Sequence, residues 1–177
     1  MGGHSVTLAA ALNPNAFSRL VLLDPVILPE AGYTGAAEPL SFVLKRRNVW
    51  SSPEEMFERF KDRPPFLTWD PAVLWDYCRF GLSGSSLACP PEIEASIYSN
   101  SSAPESNIYA EIARIQQPAL VVRSRDPYIP GRFETSTTAP DLAYRFVSGR
   151  DRHLTDVSHF IPMEAPERTA HLILSDS

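Results

Sequence analysis

Apolar and polar positions change rhythm twice along the chain. Val6, Leu8, Ala9, Ala10, Ala11 and Leu12 predict a small-residue helix, and Asn13-Pro14 stops it because proline disfavours helical geometry in the residue before it. Leu20-Val21-Leu22-Leu23 is an unbroken apolar run, the pattern of a parallel strand buried on both faces, and it closes on Asp24-Pro25. From about residue 30 the rhythm becomes helical and aromatic. One helix is expected over about Glu38 to Arg47. A second starts from Ser52-Pro53-Glu54-Glu55, a capping box with proline at the first helical position, and presents Met56, Phe57 and Phe60 on one side. A third begins at Asp70-Pro71 and puts Val73, Leu74, Tyr77 and Cys78 on a common face, and a fourth covers Pro91 to Tyr98. Residues 81–90 and 99–106 read as loops. Strand character returns at Ala119-Leu120-Val121-Val122. Asp141 to Phe146 reads as a helical turn, Asp151 to Val157 as a strand, and Pro166 to Leu174 as a last helix with Ala170, Leu172 and Ile173 as its apolar members.

Strand and helix alternating on either side of a helical stretch predict a parallel sheet with crossover helices. Three blocks follow: 1–29, helix then strand; 30–112, a helical insert that holds Trp50, Trp69 and Trp75; and 113–177, a return to α/β structure. Composition adds little beyond exclusions. With 177 residues, 44% hydrophobic and 21% charged, the chain is long enough for one well-buried domain of soluble type. A net charge of −5 argues against nucleic acid or an anionic membrane surface as the main partner. No stretch approaches the ~18 consecutive apolar residues of a membrane span. Cys78 and Cys89 sit in no metal or redox spacing, and Cys78 falls in a helical apolar pattern, so it reads as a small buried hydrophobe. No cofactor or metal is expected, since neither ligand spacing nor a phosphate-cradling glycine loop is present. A cytoplasmic location is the expectation; Ser175-Asp176-Ser177 does not match a peroxisomal address.

The opening Met1-Gly2-Gly3-His4, the helix after it, and the strand ending in Asp24-Pro25 resemble the segment that follows the nucleophile elbow, G-x-S-x-G, of the α/β-hydrolases. In that register Met1 takes the slot directly after the nucleophile, Gly2 is the last glycine of the motif, and the serine itself falls one residue upstream of Met1. The rival register, Gly3-His4-Ser5, makes Ser5 the nucleophile. It sets the bulky β-branched Thr7 where the motif needs glycine and has no apolar strand before it. The last block strengthens the resemblance. Asp126 follows the strand at the spacing of the family's acid, with Pro130 four residues on. Ser158-His159-Phe160-Ile161-Pro162-Met163-Glu164-Ala165-Pro166 is similar to the family's G-H-F-x-x-x-E-x-P, with Ser158 in place of glycine. The phrases Leu22 to Pro29 and Asp156 to Glu164 are also similar to fungal members of toxin or secondary-metabolite biosynthesis, some of them peroxisomal.

The resemblance implies the C-terminal part of an α/β-hydrolase fold, a short parallel sheet with crossover helices and a helical cap. It further implies esterase- or lipase-like hydrolysis of a small acyl ester, with Asp126 as the acid, His159 as the base and the Met1 backbone N–H in the oxyanion hole. A serine hydroxyl is a weak nucleophile until a histidine takes its proton, and a buried carboxylate fixes the tautomer of that histidine. As it stands, the chain is expected to be inactive alone. Asp24 is a second candidate for the acid, because some relatives carry it after that strand. Trp50, Trp69, Tyr77, Tyr98 and Phe160 are candidate substrate contacts, and His4, His153 and His171 read as surface groups. Two other readings stand beside this one: an epoxide hydrolase or dehalogenase, in which cap Tyr or Trp residues hold the leaving atom, and a non-catalytic binding protein. The expected partner is a small ester-like molecule. The strands of this chain would form one wing of the family's sheet and leave an uncovered apolar edge open to self-association.

Overall fold

The computed structural model describes residues 1–38, 41–126 and 134–175. Three parallel strands form its centre in the order β1 (Leu20–Leu23), β4 (Ala119–Arg123), β5 (Gly149–His153). β1 runs in register with β4 from Leu20 opposite Ala119 to Leu23 opposite Val122, and β5 flanks β4 on the other side. All five residues of β4 are buried, as its unbroken apolar run predicts for the middle strand of a parallel sheet.

Each face of the sheet has its own apolar cluster. On one, Leu20, Leu22, Ala119 and Val121 pack with Ala10 of helix α1 (Gly2–Leu12) and with Ile112 of α6 (Tyr109–Ile112). On the other, Leu120 and Val122 meet Leu154, Val157, Ile161 of α7 (Ile161–Glu164) and Leu172 of α8 (Pro166–Ser175). Between β1 and β4 the chain builds a third cluster of Trp50, Met56, Trp69, Leu74 and Cys78. It belongs to α2 (Ser41–Leu44), α3 (Pro53–Phe60), α4 (Pro71–Phe80) and α5 (Pro91–Asn100). The caps of α3 and α4 form as their sequences predict. Ser52 Oγ accepts from Glu55 N–H at 3.2 Å, and Asp70 Oδ1 accepts from Ala72 N–H at 2.8 Å and Val73 N–H at 3.3 Å.

Three expectations shift. The stretch 81–90 is not wholly loop: Leu82–Ser83 and Ser86–Leu87 pair as a small antiparallel hairpin, β2 and β3, turning at Gly84 with φ +64°. Two-residue strands carry too little alternation to register as a pattern. The helix expected over Glu38 to Arg47 shortens to Ser41–Leu44 in the described residues. The last strand is Gly149–His153, not Asp151 to Val157. Its residues are polar because it flanks the sheet on the solvent side, and the apolar Leu154 and Val157 that suggested a strand are buried from the following loop. Gly149 is needed where it stands, since a Cβ there would collide with the Ala143 carbonyl.

Candidate active site

β1 ends in a residue with unusual backbone geometry. Asp24 has φ +43°, a left-handed conformation that aspartate tolerates better than most side chains, and its N–H donates to Val122 O at 2.7 Å across the sheet. The turn points its carboxylate, fully buried, into a ring of donors. Ser124 N–H and Oγ donate at 2.9 and 3.1 Å, Ser136 Oγ at 2.5 Å, Thr137 N–H at 3.1 Å, and Thr138 Oγ1 stands 3.4 Å away. His159 Nδ1 lies 2.8 Å from Asp24 Oδ2. Thr137 Oγ1 lies 3.1 Å from the same Nδ1 and donates to the Asp24 carbonyl at 3.3 Å. Burial pushes the Asp24 carboxyl up. The hydrogen bonds from His159, Ser136 and the backbone of Ser124 and Thr137 outweigh it and hold the group below the usual carboxylate range. A carboxylate bonded to Nδ1 leaves Nε2 as the position for proton transfer, which is the arrangement of an acid–base pair.

The histidine loop is itself anchored. Glu164, on α7, accepts from Ser158 N–H at 2.9 Å and from Ser158 Oγ at 2.6 Å, and it also accepts from Thr68 Oγ1 at 2.7 Å. Asp70 N–H donates to Met163 O at 2.8 Å. The insert is thus fastened to the loop that carries His159. A cleft of about 790 Å³ opens on the Ser158–Glu164 side of that loop, under Phe42, Pro65 and Leu67; Asp24 and His159 are not among the described residues lining it.

Asp126 does not meet His159. Its carboxylate is 3.2 Å from His153 Nε2 and 3.5 Å from Arg123 Nη1, with half of the side chain in solvent. The separation has a local cause. After β4 the chain spends Ser124 on Asp24, and Asp126 comes two residues later, on the surface. Pro130 lies outside the described residues. Met1 is half-buried at the start of α1, and Gly3 packs so closely on Pro25 that a Cβ would fall 2.5 Å from the proline Cβ. That contact sets the start of α1 against the Asp24 turn. Ser5 is exposed on α1. Phe160 follows His159, with ring centroids 5.5 Å apart, and Trp69 lies 5.2 Å from Phe160 and 5.4 Å from Tyr77. Trp50 is buried deeper in the insert, and Tyr98 donates to Glu94 at 3.4 Å. His4 Nε2 lies 2.9 Å from Ser106 O, and His171 bonds Ser175.

Sequence reasoning passed over the run Thr135-Ser136-Thr137-Thr138, which is buried throughout. Four consecutive hydroxyls inside a domain require buried acceptors, and three of them serve Asp24. That run is the feature of the sequence that points to a buried acceptor such as Asp24.

No family model matches the chain. Over 98 residues, 53% of its length, it is 30% identical to the type I acyl-CoA thioesterase mpaH of Penicillium roqueforti, covering 22% of that protein. Among solved structures it resembles the peroxisomal α/β-hydrolase Lpx1 of Saccharomyces cerevisiae, with a TM-score of 0.74 at 16% identity over 97% of the chain and 48% of Lpx1. It also resembles E-2-(acetamidomethylene)succinate hydrolase, with a TM-score of 0.66 at 14% identity over 97% of the chain and 62% of that protein. A third is the thioesterase domain of the curacin biosynthetic pathway, at 0.59 and 14% identity, over 98% of the chain and 62% of that domain. The chain spans less than a quarter of the thioesterase it matches in sequence and about half to two thirds of these structures. Among the described residues no helix is long and apolar enough to cross a membrane. On these likenesses, joined to the parallel sheet and its flanking helices, the chain has the α/β-hydrolase fold over the part that it spans.

Proposed function

We propose that this chain supplies the acid–base half of a hydrolase that cleaves acyl esters or thioesters, with His159 as the base and Asp24 as the acid that orients it. The observation that carries the reading is the 2.8 Å contact between His159 Nδ1 and a buried, fully hydrogen-bonded Asp24 carboxylate at the carboxyl end of a parallel strand. In the register of the α/β-hydrolases the nucleophilic serine precedes Met1, and the close packing of Gly3 on Pro25 supports it by bringing that point of the chain to the Asp24 turn. His159 Nε2 would take the serine proton as the hydroxyl attacks the acyl carbon. The tetrahedral oxyanion would be held by the backbone N–H of Met1, the proton would return to the leaving oxygen or sulfur, and a water deprotonated by the same His159 would then release the acyl group as the acid and restore the serine hydroxyl. The insert at 30–112 would act as the cap, with Phe160 and Trp69 between its aromatic cluster and the histidine. The thioester alternative comes from the mpaH likeness.

The test is hydrolysis of p-nitrophenyl esters and of acyl thioesters by the full-length protein that contains this sequence. His159→Ala and Asp24→Asn are each expected to lower kcat by about 10³-fold or more, and Asp126→Asn to leave it within a few-fold. Activity that survives Asp24→Asn and falls with Asp126→Asn would reverse the assignment. One observation favours a second reading: among the described residues the Trp69 indole N–H is buried without an acceptor, as a cap donor for a leaving oxygen or halide would be. Turnover of epoxides or haloalkanes with no ester cleavage would select it.

A further inference from the structure

The ring contacts that start at Phe160 run through Trp69, Phe66 and Phe60 to Trp50, and at that far end the insert holds a small cavity of about 160 Å³. Arg46, Arg47, Arg59, Trp50, Phe60 and Leu87 line it, and no acidic side chain among the described residues does. Three arginines around one small space leave a net positive charge there, because only Arg46 and Arg47 have a carboxylate partner among the described residues. Here they meet in a chain whose net charge is −5.

Two of the three are fixed from outside the cavity. Arg46 pairs with both carboxylate oxygens of Glu94 and donates to Tyr77 Oη at 3.3 Å. Arg47 pairs with Glu55, donates to Val49 O at 2.8 Å and lies 4.2 Å above the Trp50 ring, which sets its plane. The pairing holds Glu55 down at about 2, so it stays ionised across the physiological range. Arg59, in the last turn of α3, is different. It is exposed and makes no hydrogen bond or ion pair among the described residues. Trp50, 3% exposed, packs its ring into the same wall. Two oriented guanidinia and one uncommitted guanidinium among the residues of one small space ask for an oxyanion.

We propose that this cavity binds a phosphate group, with Arg46 and Arg47 as its prepared wall and Arg59 as the side chain that closes on it. Its volume admits a phosphate and the first atoms of an ester arm, while the rest of a larger ligand stays outside. The inference does not depend on which bond the acid–histidine pair cleaves.

Isothermal titration of the full chain with inorganic phosphate, phenyl phosphate and acetate, in chloride buffer, tests it. A phosphate form is expected to bind with a Kd of about 1 mM or tighter, weakening as salt rises, with acetate at least tenfold weaker. Whichever of the two phosphate forms binds tighter names the source, free ion or ester. Arg59→Gln removes no contact of the fold and is expected to weaken binding at least tenfold at unchanged Tm, while Arg59→Lys recovers part of the loss. His159→Ala is expected to bind as the wild type does, so failure of the hydrolase reading and failure of this one separate. Acetate binding as tightly as phosphate, Arg59→Gln binding unchanged, or no heat up to about 10 mM would each overturn the proposal.

Discussion

Asp24 shows how a single residue can carry the cost of a site. Its backbone is left-handed, its carboxylate is out of water, and both are sustained by donors placed around it. Ser136→Ala deletes the shortest of these, the 2.5 Å bond to Oδ1, without changing the fold around it. A hydrogen bond to a buried charge contributes about 1.5–3 kcal/mol, so the variant is expected to lose stability in that range. The sign of its pH dependence follows from Asp24. Because the folded carboxyl is held below its unfolded value, its contribution is full above the unfolded value near 4 and is lost as pH falls through the folded one. Removing Ser136 Oγ raises the folded value. The acid limb of the urea midpoint, followed from about pH 6 to about pH 2, is therefore expected to move to higher pH in Ser136→Ala. A limb that stays in place would show that Ser136 does not stabilise the ionised form.

Among the elements, the strap between insert and sheet matters most. Thr68, Glu164 and Ser158 form one hydrogen-bonded chain, and Glu164 satisfies a backbone N–H that no other acceptor reaches among the described residues. Glu164→Ala is expected to leave Ser158 N–H and Oγ without this acceptor, while the Thr68 hydroxyl keeps Pro65 O at 3.2 Å, costing about 1.5–3 kcal/mol and lowering Tm on the order of 5–10 °C. Glu164→Gln keeps one acceptor and should recover part of the loss. This scale was also where the sequence was most readable. The caps at Ser52 and Asp70 and the buried run at 119–122 rest on local chemistry and appear where their residues place them. β5 was misplaced because it flanks the sheet, and there packing rather than alternation decides which residues pair. That Asp24 rather than Asp126 meets His159 has a related cause. Asp24-Pro25 and Asp126-Pro127 are equivalent as local phrases, and only the long-range return of Ser136, Thr137 and Thr138 to β1 distinguishes them.

For the whole molecule, the question is whether its three apolar clusters melt together. Two of them share the strands, because alternate residues of β1 and β4 face opposite sides of one sheet. The third shares no buried member with either, and it meets the sheet through Phe160, Met163 and the Glu164 strap. All three tryptophans, Trp50, Trp69 and Trp75, lie in the segment between β1 and β4, so tryptophan emission reports on the insert alone. Amide exchange at Val121 and Val122, buried in the middle strand, reports on the sheet. Residues 101–112 pack into the first sheet cluster, but among the described residues α2 to α5 meet the loop of His159 only through one hydrogen-bonded chain, one backbone bond and a few ring contacts, so sub-global opening of α2 to α5 should precede global unfolding. In urea, the red shift of tryptophan emission is then expected at a lower concentration than the loss of protection at Val121 and Val122, and Glu164→Ala should widen the gap by moving the first transition alone. Coincident transitions in both proteins would mean that insert and sheet form one cooperative unit, with the loop of His159 held as firmly from above as from below.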